Sequence, residues 1–154
     1  MELHTELSKD RVIESLRKGR LGDIHLKPLR TTRLGAAVCD WDYGIFAVRE
    51  NAAEIVEDLG VQHGLPTTLR TRITMTTKPY YEGQLAVYHL MAHLLRDWPG
   101  DLALLNNGDY LRIQRIDGKV KMRADCFNED ILPIFAGFDY EPLPVPARDA
   151  VQGA

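Results

Sequence analysis

The sequence predicts one α+β domain: a mainly antiparallel sheet, one long helix packed on a face, and a three-stranded meander towards the C-terminus. Two observations carry that reading. The run from Tyr80 to Asp97 places Leu85, Tyr88, Ala92 and Leu95 at helical spacing, and Val87, Leu90, Met91 and Leu94 widen the stripe. A stripe that wide packs across a sheet rather than on one neighbour. After Trp98-Pro99-Gly100-Asp101 come the apolar segments Leu102-Ala103-Leu104-Leu105, Tyr110-Leu111-Arg112-Ile113 and Val120-Lys121-Met122, joined by Asn107-Gly108 and Asp117-Gly118. Both dipeptides signal hairpins, because a two-residue turn matching the strand twist needs positive φ, which Asn, Asp and Gly tolerate.

Taken in order, residues 2–7 read as a strand and Ser8 as the N-cap of a helix to about Lys18, with Val12, Ile13 and Leu16 inward and Gly19 near its end. From Asp23 to Asp42 the pattern is extended, with Pro28 and Gly35 marking a turn or an edge. Asp42-Tyr43-Gly44 turns the chain into the strand Ile45-Phe46-Ala47-Val48. Asn51 is expected to cap a helix over 52–59, stopped by Gly60, with a loop over 61–66. Residues 67–77 alternate, Leu69, Thr71, Ile73 and Met75 against Arg70, Arg72 and Thr74, as a half-buried strand does. Asn128 opens one capped helical turn broken by Pro133, and the prolines at 142, 144 and 146 imply an extended end. The domain is expected to span 1–146, with a flexible tail at 147–154.

A chain of 154 residues is long enough for one real core. Its hydrophobic fraction of 45% and charged fraction of 27% are those of a globular protein rather than a disordered one. A formal net charge of -3 argues against a strongly basic nucleic-acid binder. The acids among the first six residues do not resemble a signal peptide, and no apolar stretch reaches the roughly 20 residues that span a bilayer. A cytoplasmic location is expected. Cys39 and Cys126 read as two buried thiols or one disulfide.

Candidate chemistry is sparse. His89 and His93 are four apart on the long helix, as zinc ligands could be, but Leu90 stands where a metalloprotease places its glutamate and no third ligand is evident. Neither a nucleophile elbow nor a phosphate loop is present, so neither a metal nor a cofactor is expected. Cys126 could act as a nucleophile only beside a histidine delivered by the fold. Arg70 and Arg72, with Lys119, Lys121, Arg123, Arg112 and Arg115, form a basic stripe if their faces coincide, and this is the basis of an alternative reading as a nucleic-acid-associated or regulatory module. No run of aromatics accompanies these bases, and a solvated sheet face explains them equally. Acids flank aromatics at Asp40, Trp41, Asp42 and Tyr43, and gather again at Glu54, Glu57 and Asp58. Aromatics supply anchor area and carboxylates steer a basic partner, so these seven residues are the candidate partner-binding set.

From Thr67 onward the chain resembles the Sit-type immunity proteins of swarm-inhibition and polymorphic-toxin systems. The resemblance is carried by Gly64-Leu65-Pro66-Thr67 leading into a strand, Lys78-Pro79-Tyr80-Tyr81-Glu82-Gly83 opening the helix, Trp98-Pro99-Gly100-Asp101 closing it, and Leu104-Leu105-Asn106-Asn107-Gly108-Asp109 leading into a basic hairpin. It implies a non-enzymatic bacterial protein that neutralises a cognate toxin by tight stoichiometric binding in the cytoplasm. A basic toxin would suit the acidic set; an acidic one would choose the face of Arg70, Arg72 and Lys121. A homodimer is left open.

Overall fold

The computed structural model describes residues 1–65, 69–75, 80–107 and 110–144, with the backbone described at 69–75, 80 and 126. In chain order the elements are β1 (Glu2–Thr5), α1 (Lys9–Arg17), β2 (Arg20–Leu21), β3 (Ile24–His25), β4 (Arg30–Thr31), β5 (Ala37–Trp41), β6 (Gly44–Glu50), α2 (Ala53–His63), β7 (Leu69–Met75), α3 (Tyr80–Asp97), β8 (Leu102–Asn106), β9 (Tyr110–Ile116), β10 (Lys119–Met122) and β11 (Tyr140–Pro142). Short 3-10 turns occupy Ala124–Cys126 and Leu132–Phe135.

Among the described residues, nine strands form one sheet in the order β11-β10-β9-β8-β1-β7-β6-β5-β4, and β2 and β3 form a separate hairpin. Neighbours in the large sheet are antiparallel except β10 and β11. The N-terminal strand β1 lies at the centre, with Leu3 opposite Thr71 of β7 on one side and Leu104 of β8 on the other. Both partners are antiparallel to β1, so β7 and β8 run parallel to each other across it, and α3 is the crossover between them. The fold is thus the expected α+β type, and β8, β9 and β10 form the expected meander.

The run Leu102-Ala103-Leu104-Leu105 shows why this sheet has two covered faces. Leu102 and Leu104 join the main core with α1 and α3, whereas Ala103 and Leu105 join a second cluster with Leu59 of α2 and Leu65. Side chains alternate along a strand, so α1 and α3 cover one face and α2 covers part of the other. On α3, Val87, Tyr88, Leu90, Met91, Ala92, Leu94 and Leu95 are all buried. Burying a stripe of that composition contributes on the order of 10 kcal/mol before conformational entropy is subtracted. Among the described residues no helix is long and apolar enough to cross a membrane.

Local signals account for most boundaries. Ser8 caps α1, its hydroxyl oxygen accepting from the Arg11 N–H, and Val12 and Leu16 are buried as their spacing requires. Asp117 and Gly118 have φ of 49° and 76°, the left-handed pair demanded by the two-residue turn between β9 and β10. Gly100 has φ of 82°, and a Cβ there would lie 2.9 Å from the Glu6 carboxylate, which accepts from the Asp101 N–H at 2.8 Å. That close approach ties the N-terminal segment to the corner between α3 and β8.

Several expectations are corrected. α2 does not stop at Gly60 but continues to His63, and Gly64, at φ 64°, donates to the Gly60 and Leu59 carbonyls as its left-handed cap. Burial of Leu59 and Leu65 beneath the helix end outweighs the cost of about 1 kcal/mol of a mid-helix glycine. Asn51 is not the N-cap: Ala52 is, and the Asn51 amide lies 3.3 Å from Nδ1 of buried His4. Pro133 sits inside the first turn of the 3-10 segment rather than breaking it, where its missing N–H is tolerated. The extended C-terminal segment is a strand of the sheet, β11 pairing with β10. Pro66, Thr67, Lys78, Pro79, Gly108, Asp109 and the tail at 147–154 lie outside the described residues.

Arg115 of β9 fixes the end of α3 to the sheet. Its guanidinium donates to the carbonyls of Leu95 at 2.7 Å, Trp98 at 2.6 Å and Gly100 at 2.9 Å, and it is 9% exposed. The Leu95 carbonyl lies in the last turn of α3, where no intrahelical donor remains, the other two lie in the segment just beyond it, and a cation at a helix C-terminus is favoured by the backbone dipole. Burial pulls the guanidinium pKa down, opposed by the Asp101 carboxylate. Replacing Arg115 by Ala strands these carbonyls, and we expect a loss of about 3 kcal/mol in urea unfolding. Lys121→Ala, which removes a surface pair to Glu141, should cost within about 0.5 kcal/mol. Equal midpoints for the two variants would refute the clamp.

Candidate functional site

Two hairpins and α3 meet at one end of the sheet. The β2–β3 hairpin turns at Gly22-Asp23, with Leu21 opposite Ile24. Gly22 has φ of 60°, and a Cβ there would come within 3.2 Å of the His93 ring, so the turn rests directly on α3 only because that position is glycine. The chain leaving this hairpin is tied to β5: Leu26 bridges Trp41, and the Lys27 N–H donates to the Asp40 carbonyl at 2.8 Å. β5 and β6 are joined through Asp42-Tyr43, with Trp41 opposite Gly44.

Between these elements lies a pocket of about 270 Å³ lined by Asp23, Ile24, His25, Trp41, Asp42, Tyr43, Ala86, His89 and Leu90. Ile24, Trp41 and Leu90 are buried and form its floor; Asp23, His25, Asp42 and His89 are exposed at its rim. Trp41 packs edge-on to Tyr43 with ring centroids 5.4 Å apart, and against Phe46 at 5.2 Å. The Trp41 Nε1 is buried and has no hydrogen-bond partner among the described residues. The pocket offers two carboxylates and an aromatic floor, an arrangement suited to holding a cation. A larger cleft of about 440 Å³ lies between α1 and the end of α3, but Arg11, Lys18 and Arg20 alternate there with Glu14 and Asp97, so it selects neither sign of charge.

The structure brings Trp41, Asp42 and Tyr43 together in the pocket. Trp41 is 4% exposed, so it presents a floor rather than a protruding anchor. Asp40 lies next to Trp41 in β5 and so points to the opposite face of the sheet, where the Arg30 guanidinium donates to it at 3.1 Å. Glu54, Glu57 and Asp58 are exposed on α2, the helix of that other face. Asp23, His25 and His89 were not part of the sequence-based set. The Gly22-Asp23 turn is a legible hairpin signal, but nothing local says that this hairpin docks beside Trp41.

The other candidates separate. His93 Nδ1 lies 2.7 Å from the Asp97 carboxylate, one turn from His89, which lines the pocket. Among the described residues no three His, Cys, Asp or Glu side chains are grouped to hold a metal. Of the basic stripe, Arg115 turns to the α3 carbonyls, and Arg123, 3% exposed, donates to Asp125 and lies over the Tyr110 ring at 4.7 Å. Arg112 lies over the same ring, also at 4.7 Å, and Lys121 is 3.8 Å from Glu141. These cations are engaged within the fold. The side chains of Arg70, Arg72 and Cys126 lie outside the described residues.

A family model described as SitI3-like matches residues 1–130 of the chain. No curated protein and no solved structure gives a significant match.

Two residues before Trp41 in β5, on the same face of the sheet, Cys39 is fully buried as a free thiol. Desolvation, with the Asp40 carboxylate adding to it and Arg30 opposing, pushes its pKa from the ordinary 9.0 to about 11. The neutral thiol is therefore favoured by folding: its contribution is complete below pH 9.0 and is lost as pH rises towards about 11. Across that window we expect the wild type to lose roughly 3 kcal/mol of stability relative to its neutral-pH value, a loss absent in Cys39→Ala. Parallel pH profiles for the two proteins in chemical denaturation would contradict this.

Proposed function

Because the chain belongs to the SitI3-like family, we propose that it is an immunity protein, which neutralises a cognate bacterial toxin by tight stoichiometric binding in the cytoplasm. The family match is the observation that carries this reading. The geometry agrees with it: the pocket beside Trp41 holds groups for binding, and the Cys39 thiol, two residues away in β5, is suppressed rather than activated. Protection by occupancy needs a complementary surface and fast capture rather than bond-making chemistry.

Trp41, Asp42 and Tyr43 form the contact end of the proposed interface, with Asp40 on the opposite face of the sheet beside Arg30. Glu54, Glu57 and Asp58, on the helix of the other face, act at longer range as charges that steer a basic partner. Their influence should fade with salt, since the screening length is about 10 Å at 0.1 M. The nucleic-acid alternative draws less support, because the Arg115 and Arg123 guanidiniums are committed to internal acceptors.

Co-expression with the product of the gene immediately upstream tests the proposal. The expected outcome is restored growth together with co-purification of a complex of fixed stoichiometry. Cells that die despite full accumulation of this chain, with no complex recovered, would refute it.

A further inference from the structure

The pocket beside Trp41 has the dimensions and charge of a socket for one side chain. At about 270 Å³ it falls below the roughly 300–1,000 Å³ of sites that bury a drug-sized ligand. Its charge has one sign: Asp23 and Asp42, from different hairpins, line it, and among the described residues no Lys or Arg does. With the histidines neutral, the described residues of the pocket carry two negative charges. Its floor is aromatic and aliphatic, and a cation within about 6 Å of an indole or phenol ring is attracted by the ring quadrupole. The same indole carries a buried N–H with no acceptor among the described residues.

We propose that this pocket receives an arginine or lysine side chain of the partner protein, its cation between Asp23 and Asp42 over the Trp41 and Tyr43 rings. A protein side chain brings an apolar stem for the floor of Ile24, Trp41 and Leu90 together with its cation, which a free ammonium ion or metal ion does not. The source of the side chain, a toxin, rests on the reading of the protein as an immunity factor; the chemistry of the socket does not.

The socket is tested first without any toxin, by titrating the full chain with N-acetyl-arginine methylamide and following the two tryptophan indole N–H resonances. Trp41 should shift and saturate while Trp98, which does not line the pocket, stays in place. The citrulline analogue, equal in shape but uncharged, should leave both unmoved. Asp23→Asn/Asp42→Asn, at exposed positions and checked for the same spectral dispersion, should raise the midpoint by at least about tenfold. An unmoved Trp41 resonance, or an equal response to citrulline, would overturn the socket. The second arm measures the complex with the product of the gene immediately upstream: the double variant should weaken it by at least about tenfold, against little change for Glu129→Gln/Asp139→Asn, exposed acids outside the proposed interface. A complex indifferent to the pocket variant would overturn the socket while leaving immunity standing. An arginine response without any complex would do the reverse.

Discussion

The four residues of β1 hold the two halves of the sheet together. Glu2 to Thr5 pair with β7 on one side and β8 on the other, so every strand beyond β7 and every strand beyond β8 belongs to one sheet only through them. The arrangement requires an N-terminal segment to enter between two strands separated from it by dozens of residues. It also buries Leu3, His4 and Thr5 almost completely, on both faces, in a strand short enough to look incidental in the sequence. Backbone groups buried at the centre of a sheet must be paired, and the two-sided ladder of β1 pairs them.

The placement of α3 follows from that insertion. Because β1 separates β7 from β8, the connection between them must cross over it, and α3 makes the crossing with a wide apolar stripe against the sheet. Arg115 then fastens the helix end to β9, while the Glu6 carboxylate and the Asp101 N–H close the corner next to it. The pocket inherits its rigidity from this frame. Its α3 wall is held by the core, and its hairpin walls are held by the bridge between Leu26 and Trp41 and by the contact of the Gly22 turn with His93.

Legibility varied with the range of the interactions. The Ser8 cap, the Asp117-Gly118 turn and the α3 stripe depend on residues within a few positions of each other, and sequence spacing reveals them directly. α2 overran its expected stop because burial of Leu65 beside Ala103 and Leu105 is a contact across some forty residues, which no local propensity records. Asn51 has the chemistry of a cap but meets His4 instead, again a partner from far along the chain. The basic stripe looked continuous because alternation within each strand is visible, whereas the acceptors that engage Arg115 and Arg123 are not.

The sequence by itself determined the fold class, the long helix, the meander and the acidic and aromatic character of the segment from Asp40 to Tyr43. Each rests on periodicity, turn chemistry or composition, which are properties of short windows. Only the tertiary structure decided that Trp41 is a floor rather than an anchor, that Asp40 turns to the opposite face, and that Asp23, His25 and His89 join Asp42 around one pocket. The physical reason is that a strand fixes the alternation of its side chains locally, while which face is covered, and by what, is set by packing partners elsewhere in the chain.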